Sequence, residues 1–190
     1  DRFNAHASTS ILARIQAEKH MLATDPSEAY LKQAYLGEIR GEASFRGLTQ
    51  AMPERADDFA LLAEVERATA AYLLPYLVKP VGPEEVSAAR DAGQSRVSNM
   101  AIGSWSELVE TILPIISGAI ATFREAETHA PQHLREVYEL FTAHEQALLD
   151  YLHAERDGQD GSSRLRAFLD QLVSVQDPTH SVITMETSND

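Results

Sequence analysis

With 190 residues the chain is long enough for one sizeable domain that buries roughly 70% of its unfolded surface, and short for two. Its 29 acidic against 16 basic residues give a formal net charge of −13, which sets it against a phosphate backbone or an anionic membrane surface. The absence of cysteine excludes disulfides, thiolate metal sites and a Cys nucleophile, so histidine and carboxylate are the strong metal ligands left.

Apolar periodicity of about 3.6 residues recurs between Pro and Gly punctuation, without alternating strand patterns, and predicts an all-α fold. A short helix is expected over about Ser8 to Ala23. Asp25-Pro26-Ser27-Glu28 then carries a start signal, and a long helix follows to Met52. Pro53-Glu54 opens a second long helix through Phe59, Leu62, Glu66, Ala70, Leu73 and Leu77, which Lys79-Pro80-Val81-Gly82-Pro83 ends. Between Glu84 and Ser104 a shorter polar helix and a loop are expected. The next helix begins near Ser104, and its apolar positions Trp105, Leu108, Val109, Ile112, Leu113, Ile115, Ile116, Ile120 and Phe123 leave little polar face. Such a helix is expected at the centre of the fold, with a kink at Pro114. Pro131 restarts the chain as a fourth long helix carrying Leu134, Val137, Phe141, Glu145, Leu148 and Leu152, which ends at Asp157-Gly158. A last helix spans roughly Ser162 to Val175. The expectation is one domain over residues 1–175 and a flexible tail over 176–190.

No apolar run reaches the ~18 residues of a membrane span. The opening DRFNAHASTS lacks the charged-then-apolar order of a signal peptide. A cytoplasmic protein with no nucleic-acid or membrane partner is therefore expected. Apolar helix surface beyond what a bare bundle needs suggests a homodimer.

Three stretches put glutamate where a packed helix wants leucine: Glu38 and Glu42 in LGEIRGEASFRGL, Glu66 in LLAEVERATAAYL, and Glu145, beside His144, in FTAHEQALLDYL. A carboxylate inside an apolar stripe costs several kcal/mol unless it is protonated, paired or bound to a metal. Several such positions on different helices point to a site. A faint internal echo supports this. Glu66 is followed by Ala68, Tyr72 and Leu73, and Glu145 by Ala147, Tyr151 and Leu152, as though two helix pairs each brought one Glu to the middle.

On these residues the chain resembles the ferritin-like superfamily of carboxylate-bridged di-metal proteins. The stretch from Glu38 through Ala51-Met52-Pro53 to Glu66 is similar to the first helix pair of ferritin-like oxygenases such as the aldehyde-deformylating enzymes. The resemblance implies an up-down four-helix bundle with additional short helices, in which one helix of each pair gives a Glu and its partner Glu-x-x-His. It also implies iron or manganese held by Glu38, Glu66 and Glu145, with Glu42 and His144 as catalytic groups. The chain departs from the pattern where Thr69 and Leu148 replace the two histidines, and Glu107 and Glu110 lie off the apolar face of their helix. A reduced site with one metal, an unusual di-metal site and none at all each fit these departures.

Other roles compete for the same residues. Glu42 and Arg46 stand four apart in the orientation of a surface pair worth about 0.3 kcal/mol. Glu66 can be neutralised by Arg67 or by another helix, and His144 divides evenly between surface and site. Three functions remain open. One is an iron- or manganese-dependent oxidoreductase acting on a small organic molecule at an interior carboxylate site. The second is a metal-free acid–base enzyme on the same bundle. The third is a non-catalytic oligomeric helical module.

Overall fold

The computed structural model describes residues 26–100 and 103–176, and the helix expected over Ser8 to Ala23 and the tail beyond residue 176 lie outside them. Among the described residues there are six α-helices and no strand. They are α1 (Pro26–Ala51), α2 (Ala56–Leu73), α3 (Pro83–Ser98), α4 (Trp105–Thr128), α5 (Arg135–Arg156) and α6 (Ser162–Gln176).

Two antiparallel pairs, α1 with α2 and α4 with α5, form the body of the molecule, α3 lies along α1, and α6 packs against both α2 and α5. Each pair is closed by a short proline turn. Pro53 opens a 3-10 turn that the Met52 carbonyl anchors, accepting from the Arg55 backbone N–H at 3.0 Å. Pro131 similarly precedes the turn Gln132–Leu134. Pro26 occupies the first turn of α1, where its missing N–H has no helical partner to lose.

The long α1 is two-faced. Leu31, Glu38, Phe45 and Leu48 turn toward the main core, while Leu36 and Ile39 join Ala70 and Ala89 in a smaller cluster toward α3. At Gly93 a Cβ would strike the Arg40 carbonyl, and the Ser44 hydroxyl donates to the Gly93 carbonyl at 3.2 Å, so α1 and α3 pack backbone to backbone. On the other side, Leu165, Phe168 and Leu172 of α6 close the core over Phe59, Val65, Tyr151 and Leu152.

Three expectations are corrected here. The second long helix stops at Leu73 instead of running to Leu77, because Pro75 cannot donate and turns Leu74–Tyr76 into a 3-10 segment. Helix α4 is not central. Only Leu108, Val109, Leu113 and Ile120 of it are fully buried, and Ile115 is 52% exposed, because α4 packs chiefly on α5 and meets α1 through few contacts such as Phe123 edge-on to Tyr30. Finally, α4 is long and apolar enough to cross a membrane by length and composition alone, contrary to the expectation that no segment is. The helix runs through Pro114 without a break.

Candidate metal centre

The gap left between α1 and α4 is a groove of about 420 Å³, within the range of small-molecule sites. Its apolar wall is Phe45 and Leu48 from α1, Ile112, Ile116 and Phe123 from α4, and Leu148 from α5. Its floor is polar: Glu38, Glu66 and Glu145 all line it.

These carboxylates are fixed by helix register. Glu38 falls a heptad from both Leu31 and Phe45, so the stripe that buries those side chains buries the carboxylate, which is 4% exposed. Glu66 follows Val65 and Leu62 inward on α2 and is 7% exposed. Gly41 makes room for it. A Cβ there would collide with the Glu66 carboxylate, which therefore lies directly against the α1 backbone. Glu145 and His144 come inward together on α5, where α6 covers the imidazole with the Phe168 ring at 5.4 Å between centroids.

His144 stands between the two carboxylates, with Nδ1 3.6 Å from Glu38 Oε2 and Nε2 3.9 Å from Glu66 Oε1. Both separations exceed hydrogen-bond length. Glu38 Oε2, Glu145 Oε2, both His144 nitrogens and the Tyr30 hydroxyl are all buried without a hydrogen-bond partner. Such groups ordinarily find one, since each orphaned polar atom costs on the order of 1–3 kcal/mol. Donor atoms of Glu38, Glu66 and His144 lie within 4.8 Å of one another, so the three can hold a metal ion.

Burial dominates the electrostatics. It raises the Glu38 carboxyl well above the usual carboxylate range, with the Glu66 charge adding to the effect. Burial likewise pushes Glu66 up to about 8 and Glu145 up to about 7. It pushes the His144 imidazole down to about 3, so the ring is neutral near pH 7 and free to donate a lone pair. Without a cation the carboxyls hold protons around neutrality. A bound divalent cation would displace protons from Glu38 and Glu66 and would satisfy one His144 nitrogen and a Glu38 oxygen.

The sequence-expected residues divide as follows. Glu38, Glu66, His144 and Glu145 are brought together. The three-donor cluster contains His144 and not Glu145, which shares the groove floor. Glu42 lies elsewhere: it accepts from Arg46 at 2.8 Å and lines a separate polar cleft between α1 and α3. Arg67 does not neutralise Glu66, since it is paired with Glu64 on the outer face of α2. At the two departures from the ferritin-like pattern, the fully buried Thr69 hydroxyl donates to its own helix at the Val65 carbonyl, 2.9 Å away, and Leu148 packs in the groove wall. Neither position offers an imidazole. Tyr30 was not anticipated in the site. Its ring stacks on Tyr138 at 4.6 Å, and burial with the nearby Tyr138, Glu145 and Glu38 raises its phenol pKa, so it stays protonated. The only hint in sequence is its place two helical turns before Glu38.

No protein-family model, curated protein or solved structure matches this chain.

Proposed function

We propose that the protein is a metal-dependent oxidoreductase on a ferritin-like helical bundle, with one iron or manganese ion held by Glu38, Glu66 and His144. The observation that carries this reading is the buried Glu–Glu–His cluster, in which Glu38 Oε2 and both His144 nitrogens lack a hydrogen-bond partner, beside an apolar groove. Two carboxylates and one imidazole suit iron or manganese by ligand type, and the metal would supply redox chemistry with dioxygen. With Thr69 and Leu148 in the histidine positions, the chain lacks donors for a second ion of the usual kind. One metal is the reading these residues favour.

The protein's own groups have distinct tasks in this reading. Glu38, Glu66 and His144 bind the ion. Glu145 holds or releases a proton beside it, because its carboxyl titrates near 7. Tyr30 presents a phenol hydrogen to whatever polar atom enters the groove. The walls of Ile112, Ile116, Phe123 and Leu148 exclude water and bind a small, largely apolar organic substrate. The decisive experiment is metal content by elemental analysis in wild type and in Glu66→Ala and His144→Ala. The reading requires iron or manganese in the first and its loss in both variants.

A second reading has support from the same shifted pKa values. Carboxyls near 7 and 8 beside a neutral imidazole are poised for general acid–base catalysis without any metal. It predicts full activity after chelator treatment.

A further inference from the structure

The groove carries a second chemical asymmetry besides its polar floor. Arg40 of α1 and Arg96 of α3 both line it, and neither guanidinium makes an ion pair or hydrogen bond to a described residue. Arg90, Arg135, Arg164 and Arg166 also lack an ion pair to a described residue, but Arg40 and Arg96 are the two arginines that line the apolar groove. Lys32 is paired with Glu85, Arg46 with Glu42, Arg67 with Glu64, and Lys79 with Glu28. Glu38 and Glu66 line the same groove, and the Arg96 charge is felt at Glu66, yet neither makes an ion pair with either arginine. They face His144 instead. The two guanidinium groups are thus left in a half-open setting, Arg40 partly buried and Arg96 exposed, beside Val97 and Met100.

We propose that the groove binds a single-chain anionic amphiphile, its acidic head group held by Arg40 and Arg96 and its apolar body laid against Ile112, Ile116 and Phe123. Guanidinium is the side chain best matched to a carboxylate or sulfate, which it can grip through two parallel hydrogen bonds. The overall negative field disfavours an anion over most of the surface, and these two cations are the ones that adjoin the apolar wall. Burying an anion deep in the groove costs more than leaving it at the rim beside two guanidinium groups. That cost directs the apolar end, not the head, toward the Glu–Glu–His cluster. The inference rests on the reading above only in taking the groove as the substrate site, and it adds the polarity of the substrate: acidic head at the rim, reacting carbon at the floor.

The test is calorimetric titration of the full chain with octanoate, 1-octanol and octylammonium, before and after dialysis against chelator. Octanoate is expected to bind about tenfold or more tighter than octanol, and octylammonium weakest of all. The double variant Arg40→Gln/Arg96→Gln should lose that tenfold preference for octanoate while keeping its affinity for octanol. Arg164→Gln/Arg166→Gln, which removes the same charge from α6, should bind octanoate like wild type. Ile116→Trp, which fills the groove, should abolish binding of both.

Octylammonium binding as tightly as octanoate, or an Arg40→Gln/Arg96→Gln variant that binds octanoate like wild type, would overturn the proposal. Equal binding of all three amphiphiles would show surfactant adsorption only and overturn it too. Metal retained with no octanoate preference removes the amphiphile alone. An arginine-dependent octanoate preference in a protein that never holds metal removes the metal reading alone.

Discussion

Gly41 and Gly37, one helical turn apart on α1, both line the groove but differ in what they face. A Cβ at Gly41 meets the Glu66 carboxylate, whereas one at Gly37 meets nothing within 4 Å. Gly41→Ala should therefore displace Glu66, lower stability by about 1–3 kcal/mol and strip the metal. Gly37→Ala should gain about 0.5–1 kcal/mol from helix propensity and keep it. Chemical denaturation with metal analysis of both variants checks the pair. The same carboxyl sets a pH dependence. In the metal-free protein Glu66 is raised from 4.5 to about 8 and Glu145 from 4.5 to about 7, so the folded state keeps protons that the unfolded chain releases. Their contribution to stability is complete below about pH 4.5 and is lost as pH rises through 7 to 8. His144, lowered from 6.5 to about 3, acts oppositely and costs stability as pH falls below 6.5. The melting temperature of metal-free protein should thus fall between pH 6.5 and 8, and metal-loaded protein should not show that fall. Equal slopes for the two forms would count against a metal among these groups.

Among the elements, α6 and α4 take roles that the sequence pattern could not assign. Periodicity marks Leu165, Phe168 and Leu172 as one buried stripe, and they are buried, but nothing in the spacing says that Phe168 lies over His144. Phe168→Ala should cost about 3–5 kcal/mol and open the imidazole to water, weakening metal binding beyond the loss in stability. A titration of cobalt into folded variant and wild type measures that excess. For α4 the apolar width was legible and its meaning was not. A wide stripe fits a central helix and the open wall of a groove equally well, and only the sparse packing of α1 on it decides. The inward glutamates were legible for a simple reason: Glu38 and Glu66 interrupt stripes whose other members are all large and apolar. Glu42 sits one helical turn after Glu38 but four residues before Arg46, and that local pair holds it toward the α3 side. Sequence spacing offered both outcomes and did not choose. His144 follows the Glu145 face more closely than its offset of one residue suggested. The covering helix α6 gives α5 a second buried side, so adjacent residues can both point inward.

For the whole molecule, the echo between Glu66-to-Leu73 and Glu145-to-Leu152 becomes a structural correspondence. Glutamate, tyrosine and leucine at matched spacings are buried on both α2 and α5. Two helix pairs each carry one interior carboxylate on the second helix, and His144 joins them where a Glu-x-x-His motif would have placed an imidazole one turn later. The one glutamate that the ferritin-like pattern asks of α4 has no counterpart at Glu107, which is occupied at the start of that helix, accepting from the Gly103 backbone N–H at 2.8 Å. A single ion that binds only the folded chain stabilises it by about 2.7 kcal/mol at a hundredfold excess over its dissociation constant. For a domain of this size that raises the melting temperature by about 5–11 °C. Scanning calorimetry with added iron(II) or manganese(II) checks the shift, which Glu66→Ala should abolish. Elemental analysis of protein purified with iron, manganese and zinc present, and never exposed to chelator, tests the central claim most directly. The account predicts about one equivalent of iron or manganese per chain, falling below about a tenth in both Glu66→Ala and His144→Ala. Wild-type protein with less than about a tenth of an equivalent, or variants that keep their metal, would contradict it.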